Sequence, residues 1–128
     1  MLRLANERDE LTIVGDQFGA PTTTRALTDA TVELVRYYLS HGAFPDHVRG
    51  TYHMTCGGET SWCGFARAIM DASHHADTRV TEITTADYPT PAKRPAYSVL
   101  SNDKLEKTFG IRLPGWEQAL ADCMKDYS

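Results

Sequence analysis

The chain has 128 residues, 41% of them hydrophobic and 23% charged, enough for one globular domain with a real core and too apolar for a disordered segment. Seventeen acidic residues against thirteen basic ones leave a net charge of −4, which argues against a nucleic-acid or anionic-membrane surface. No apolar run approaches the ~20 residues of a membrane span, no signal-peptide pattern opens the chain, and three cysteines without C-x-x-C spacing point to a reduced, cytoplasmic setting.

The opening stretch, MLRLANERDE, reads as a helix already under way, because Leu2 and Leu4 are apolar and no Ser, Asp or Asn precedes them as a cap. Such a start is expected of a piece cut from a longer protein. Leu11 to Val14 then reads as a short strand ended by Gly15. From Thr24 to Leu39, Leu27, Ala30, Leu34, Val35 and Tyr38 recur at helical spacing, and Gly42 and Pro45 stop the helix. GTYHM, residues 50–54, reads as a buried strand turning at Gly57-Gly58. The next helix opens at Thr60 or Ser61 and carries Trp62, Phe65, Ala66, Ile69 and Met70 on one face. RVTEIT alternates as a strand does. Three prolines keep DYPTPAKRPAYS out of any helix or central strand. A short helix follows with Asn102 as its cap and Gly110 as its stop. A last helix from about Pro114 places Trp116, Leu120, Cys123, Met124 and Tyr127 on one stripe. The class is α/β with an α+β-like small lobe, short strands alternating with four to five helices, in a single unit over residues 1–128.

The chemistry of a self-sufficient enzyme is missing from this pattern. There is no G-x-S-x-G elbow, no G-x-G-x-x-G or Walker loop, and no zinc spacing among His53, Cys56, Cys63, His74 and His75. Neither a catalytic residue nor a metal ligand is assigned. Two stretches remain. In GDQFGAPTTTR, residues 15–25, two glycines and Pro21 constrain a loop that presents Asp16, Gln17 and Phe18, and the helix after it offers its first amides to an anion. A strand-to-helix turn with a Thr cap explains the same residues without a ligand. In PTPAKRPAYS, Arg94 on a proline-stiffened loop suits bidentate phosphate binding, since little freedom is left to lose. Lys93 beside it reads more simply as a solvated cation.

DQFGAPT, GETSW, YPTPAKRPAYSVLSNDKLEKTFGI and LPGWEQAL, in this order and at these intervals, resemble the C-terminal part of dTDP-4-dehydrorhamnose reductases, members of the extended short-chain dehydrogenases. The resemblance covers nearly the whole chain. It implies a parent enzyme that reduces the 4-keto group of dTDP-4-dehydro-L-rhamnose with NADPH in dTDP-rhamnose biosynthesis. It also implies that the N-terminal Rossmann domain, with its NADPH loop and Tyr-x-x-x-Lys pair, is absent here. Tyr37, Tyr38, Tyr52, Tyr88, Tyr97 and Tyr127 indeed have no Lys four residues later.

By this resemblance the chain is the substrate-binding lobe, inactive alone and without a cofactor of its own. Its implied partners are the dTDP-sugar, the missing domain and, to cover the surface that domain leaves bare, a second copy in a homodimer. Arg94 is expected to meet the sugar-nucleotide phosphates, with Lys93 as the weaker contact and Gln17 and Phe18 lining the same cleft. Three positions depart from the family pattern. Gly15 stands where an acidic or amide residue is common, Cys63 where His or an aromatic residue is common, and Tyr97 where Asn is common. The alternatives are a free-standing, non-catalytic nucleotide-sugar binding module and the lobe of a related nucleotide-sugar reductase or epimerase.

Overall fold

The computed structural model describes residues 1–125. Helix α1 (Leu2–Ala5) leads into strand β1 (Glu10–Val14), and a two-residue strand β2 (Phe18–Gly19) precedes helix α2 (Thr24–His41). Strand β3 (Thr60–Ser61) runs directly into helix α3 (Trp62–Asp71), followed by strand β4 (Arg79–Ile83), helix α4 (Asp103–Phe109) and helix α5 (Trp116–Met124). The mixed α/β class follows, with five α-helices among the described residues. Tyr127, expected on the stripe of the last helix, lies outside them.

The strands form two small sheets. β1 and β4 pair in parallel, with Leu11 opposite Val80 and Val14 opposite Ile83. β2 and β3 pair antiparallel, with Phe18 opposite Ser61. Helix α3 packs on the parallel pair, and Leu11, Met70 and Ala5 are buried there with Leu2, Leu4, Ile13 and Val80 around them. Leu2 and Leu4 are thus half-buried rather than bare. A larger core joins the inner face of α2 to α4 and α5 through Ala26, Ala30, Leu105, Leu113, Trp116 and Leu120. Phe65 of α3 meets Trp116 edge to face, with ring centroids 6.0 Å apart.

The helix ends follow their sequence signals in most places. Thr23 accepts the Ala26 amide at 3.2 Å to cap α2, and Gly42 closes it with φ +74°. Ser61, rather than Thr60, caps α3 by accepting the Gly64 amide at 3.0 Å. α5 begins at Trp116, two residues later than Pro114 suggests.

Asn102 departs from expectation. It occupies the N-cap position of α4, yet its side chain makes no capping bond. Its Oδ1 accepts the Thr55 amide at 3.0 Å, and its Nδ2 donates to the Thr55 carbonyl at 2.8 Å. The same pair of bonds corrects the reading of GTYHM. Residues 51–55 join no strand ladder. Their apolar alternation, with Tyr52 and Met54 half-buried, is real, but the chain leaves this segment no neighbouring strand. A side-chain amide takes the place of the missing peptide.

Two ties fix the loops above β1. Gly15 donates its amide to the Ile83 carbonyl at 2.9 Å, and a side chain there would run into Glu82, which itself faces Arg67 at 3.5 Å. Asp16 then receives the Thr85 amide on Oδ1 at 2.9 Å and the Thr85 hydroxyl at 2.6 Å. The Thr85 hydroxyl, and after it the Thr85 amide, hold the Asp16 carboxyl below its ordinary pKa.

Leu105 is completely buried in the larger core, so Leu105→Ala should cost about 2–5 kcal/mol of unfolding free energy through lost contacts and a cavity. A drop of less than 1 kcal/mol in urea denaturation would mean the core collapses around the gap, as good packing forbids. Asp16 gives a pH signature. Its folded pKa lies below the unfolded one, so its tie contributes fully above about pH 4 and is lost as pH falls through the depressed value. The Thr85 amide resonance should hold its position down to that pH and shift only below it; a midpoint at or above the ordinary aspartate value would show that the tie does not form.

Candidate functional site

The loop 15–22, the N-terminal turn of α3 and the proline-rich segment before α4 enclose a cleft of about 520 Å³. That volume falls within the usual range for small-molecule sites. Phe18, Pro21, Trp62, Phe65 and Pro95 give it apolar walls. A second cavity of about 550 Å³ adjoins it, lined by Met1, Leu4, Arg8, residues 11–14, Tyr88 and Thr90. Gln17, Trp62 and Arg94 border both.

Most polar groups around the cleft are already in use. Thr22 donates its hydroxyl to the Ala20 carbonyl at 2.9 Å and accepts the Cys56 amide at 3.1 Å. Ser61 caps α3, and Ser98 donates to the Phe18 carbonyl at 3.0 Å. Gln17 donates to the Thr85 hydroxyl at 3.0 Å, so this amide is fixed from behind by the residue that anchors Asp16. Arg94 differs: it is exposed, and its guanidinium makes no hydrogen bond or ion pair among the described residues. Among the described residues, no carboxylate, histidine, cysteine or lysine lines the cleft.

The proline-rich segment is held at its far end. Phe18 donates its amide to the Ala96 carbonyl at 2.8 Å and receives the Ser98 amide at 2.9 Å, with Tyr97 bridged to Phe18. The exposed Tyr97 hydroxyl donates to Glu59 Oε2 at 2.5 Å, and this bond to a carboxylate pushes the phenol pKa up.

Of the residues singled out from the sequence, Gln17, Phe18 and Arg94 thus come together on one cleft. Lys93 is exposed on the same loop and lines neither cavity. The start of α2 does not offer its amides here: Thr23 and Thr24 line a separate groove of about 780 Å³ with Arg25, Asp29, Glu33, Arg112 and Asp122. Two cations against three anions make that groove a poor place for a phosphate. The helix end that borders the cleft is that of α3.

Trp62 is the residue that periodicity misplaced. Its spacing matches the apolar face of α3, but the buried positions are Cys63, Ala66 and Met70, while Trp62 is 54% exposed at the cleft. Its place directly after the Ser61 cap, in the first turn, was the available signal. Arg8, which the sequence did not single out, lines the second cavity together with Arg94. Cys63 is wholly buried, which raises its pKa and keeps it a thiol. Among the described residues no three His, Cys, Asp or Glu side chains are grouped to hold a metal ion, and no helix is long and apolar enough to cross a membrane.

The comparison with known proteins agrees with this architecture. A protein 47% identical, covering 98% of this chain and 45% of its own length, is the dTDP-4-dehydrorhamnose reductase of Burkholderia thailandensis. The crystal structure of a dTDP-4-dehydrorhamnose reductase from Clostridium acetobutylicum superposes with a TM-score of 0.85 at 36% identity, over 98% of this chain and 41% of that one. The Bacillus anthracis enzyme, solved in complex with NADP, gives 0.80 at 29% identity over 99% and 41%. The chain therefore spans less than half the length of these relatives. The family model for the RmlD substrate binding domain matches residues 1–128, and the chain belongs to that family.

Proposed function

We propose that this chain is the dTDP-sugar-binding lobe of a dTDP-4-dehydrorhamnose reductase, working with an NADPH-binding Rossmann domain and contributing the nucleotide end of the substrate site. The observation that carries this reading is the uncommitted guanidinium of Arg94 at the mouth of an apolar cleft, on a loop stiffened by Pro91 and Pro95. A planar, delocalised cation with free donors matches a diphosphate, and the aromatic walls beside it suit a base. Gln17 and Phe18 then orient the ligand from the opposite loop, and Lys93 adds only long-range charge.

The division of labour follows. NADPH, when bound by the partner domain, supplies the hydride for the 4-keto group. The cofactor is assigned to that domain; among the described residues β1 leads through Gly15 into the short strand β2, and the parallel sheet has two strands. The role of the chain is to hold the nucleotide at a distance from the reacting carbon, so that binding energy orients the sugar. The buried free thiols Cys56 and Cys63 suit a reducing cytoplasm. On this reading the lobe pairs with the Rossmann domain, or with a second copy when that domain is lacking.

Titrating the chain with dTDP tests the lobe directly. Arg94→Ala should weaken binding by about 1.5–3 kcal/mol, roughly ten- to hundredfold in Kd, while Lys93→Ala stays within about twofold. An unchanged Kd in Arg94→Ala would reduce that residue to a solvated loop cation. The purified chain should oxidise no NADPH with dTDP-4-keto sugars; turnover above the protein-free rate would overturn the assignment of the chemistry to another domain.

A further inference from the structure

Arg94 stands on a segment with little to hold it. Residues 86–98 are all exposed and belong to no helix or sheet beyond the end of one turn and a single bridge. Prolines limit its local conformations, but they do not decide where the segment lies relative to the cleft. Two contacts do. One is the pairing of Ala96 and Ser98 with Phe18, which the Ser98 hydroxyl joins at 3.0 Å. The other is the Tyr97 hydroxyl on Glu59, 38 residues away in sequence.

Glu59 is a firm point of attachment. It follows Gly57, which donates its amide to the Pro114 carbonyl at 2.9 Å and accepts the Trp116 amide at 2.9 Å. Gly58, at φ +79°, lies so close to Trp116 that a Cβ would come within 3.1 Å of the indole. The turn carrying Glu59 is therefore stapled to Trp116, which is itself buried in the larger core. Tyr97 reaches across to that staple from three residues beyond Arg94.

We infer that the Tyr97–Glu59 hydrogen bond is a latch that fixes the Arg94 loop across the cleft, making Tyr97 and Glu59 positioning residues for a diphosphate-bearing ligand. The inference rests on the reading of the cleft given above. A bond from a phenol to a carboxylate is of the stronger, charge-assisted kind. Without it, ordering of the loop falls due when ligand binds and is subtracted from affinity.

The test uses the full chain, dTDP as probe and amide hydrogen exchange without ligand. Tyr97→Phe removes one exposed oxygen and leaves the core untouched, so the fold is retained. Tyr97→Phe and Glu59→Ala should each speed exchange at the Ser98 amide and weaken dTDP binding by about two- to tenfold, the range for one hydrogen bond. Glu59→Gln keeps an acceptor and should recover part of the loss. In an Arg94→Ala background, Tyr97→Phe should cost nothing further, because the latch acts through the guanidinium. Unchanged Ser98 exchange in Tyr97→Phe would overturn the latch. An equal loss of affinity with and without Arg94 would overturn the positioning role. If the unmodified chain binds no dTDP, the reading of the cleft fails and the ligand part of the inference falls with it, while the exchange result still reports on the latch by itself.

Discussion

The bonds between Asn102 and Thr55 do for the middle of this chain what a neighbouring strand does in a larger sheet. With two two-stranded sheets, the fold has few ladders to satisfy its extended backbone, and unpaired peptide groups inside a core are costly. One side-chain amide offers a donor and an acceptor in the geometry of a peptide and closes the account for Thr55. Cys56 next turns to the Thr22 hydroxyl, and Gly57 to Pro114 and Trp116. Over three consecutive residues the segment is bound to the N-cap residue of α4, to the loop before α2 and to the start of α5. The floor of the cleft and the turn bearing Glu59 inherit their positions from this run.

The same economy explains why the cleft is selective in what it can offer. Hydroxyls are abundant around it, yet Thr22, Ser61 and Ser98 are committed to backbone groups, and Asp16 is committed to Thr85. Architecture consumes the polar atoms that a glance at the lining would assign to a ligand. What remains is the Arg94 guanidinium, the Gln17 carbonyl and aromatic surface, the groups on which the proposed reading draws.

The long elements were legible in the sequence because burial wrote a period into them. α2 and α3 bury one face each, while β1 and β4 stood out by their β-branched residues. The segment 51–55 shows where this logic stops: its alternation records burial faithfully, but burial does not say what pairs with the backbone, and a partner 47 residues away leaves no local trace. Asn102 was misjudged for the related reason that a residue suited to cap a helix is equally suited to imitate a peptide. Trp62 failed at the edge of a helical stripe, where one position of rotation separates core from cleft. Glycines and prolines in the sequence mark the two constrained loops that carry Gln17, Phe18 and Arg94, and the structure sets those loops on one cleft. The contact of Glu59 with Tyr97 spans 38 residues and leaves no local trace.

Gly15 carries a consequence for how such a chain can vary. The space its missing side chain would fill is occupied by Glu82, which also lies beside Arg67 and the buried Cys63. A side chain at position 15 therefore has to push the Glu82 side chain aside, and with it the counter-ion of Arg67 on α3, so a change in this loop is felt on a strand and a helix at once.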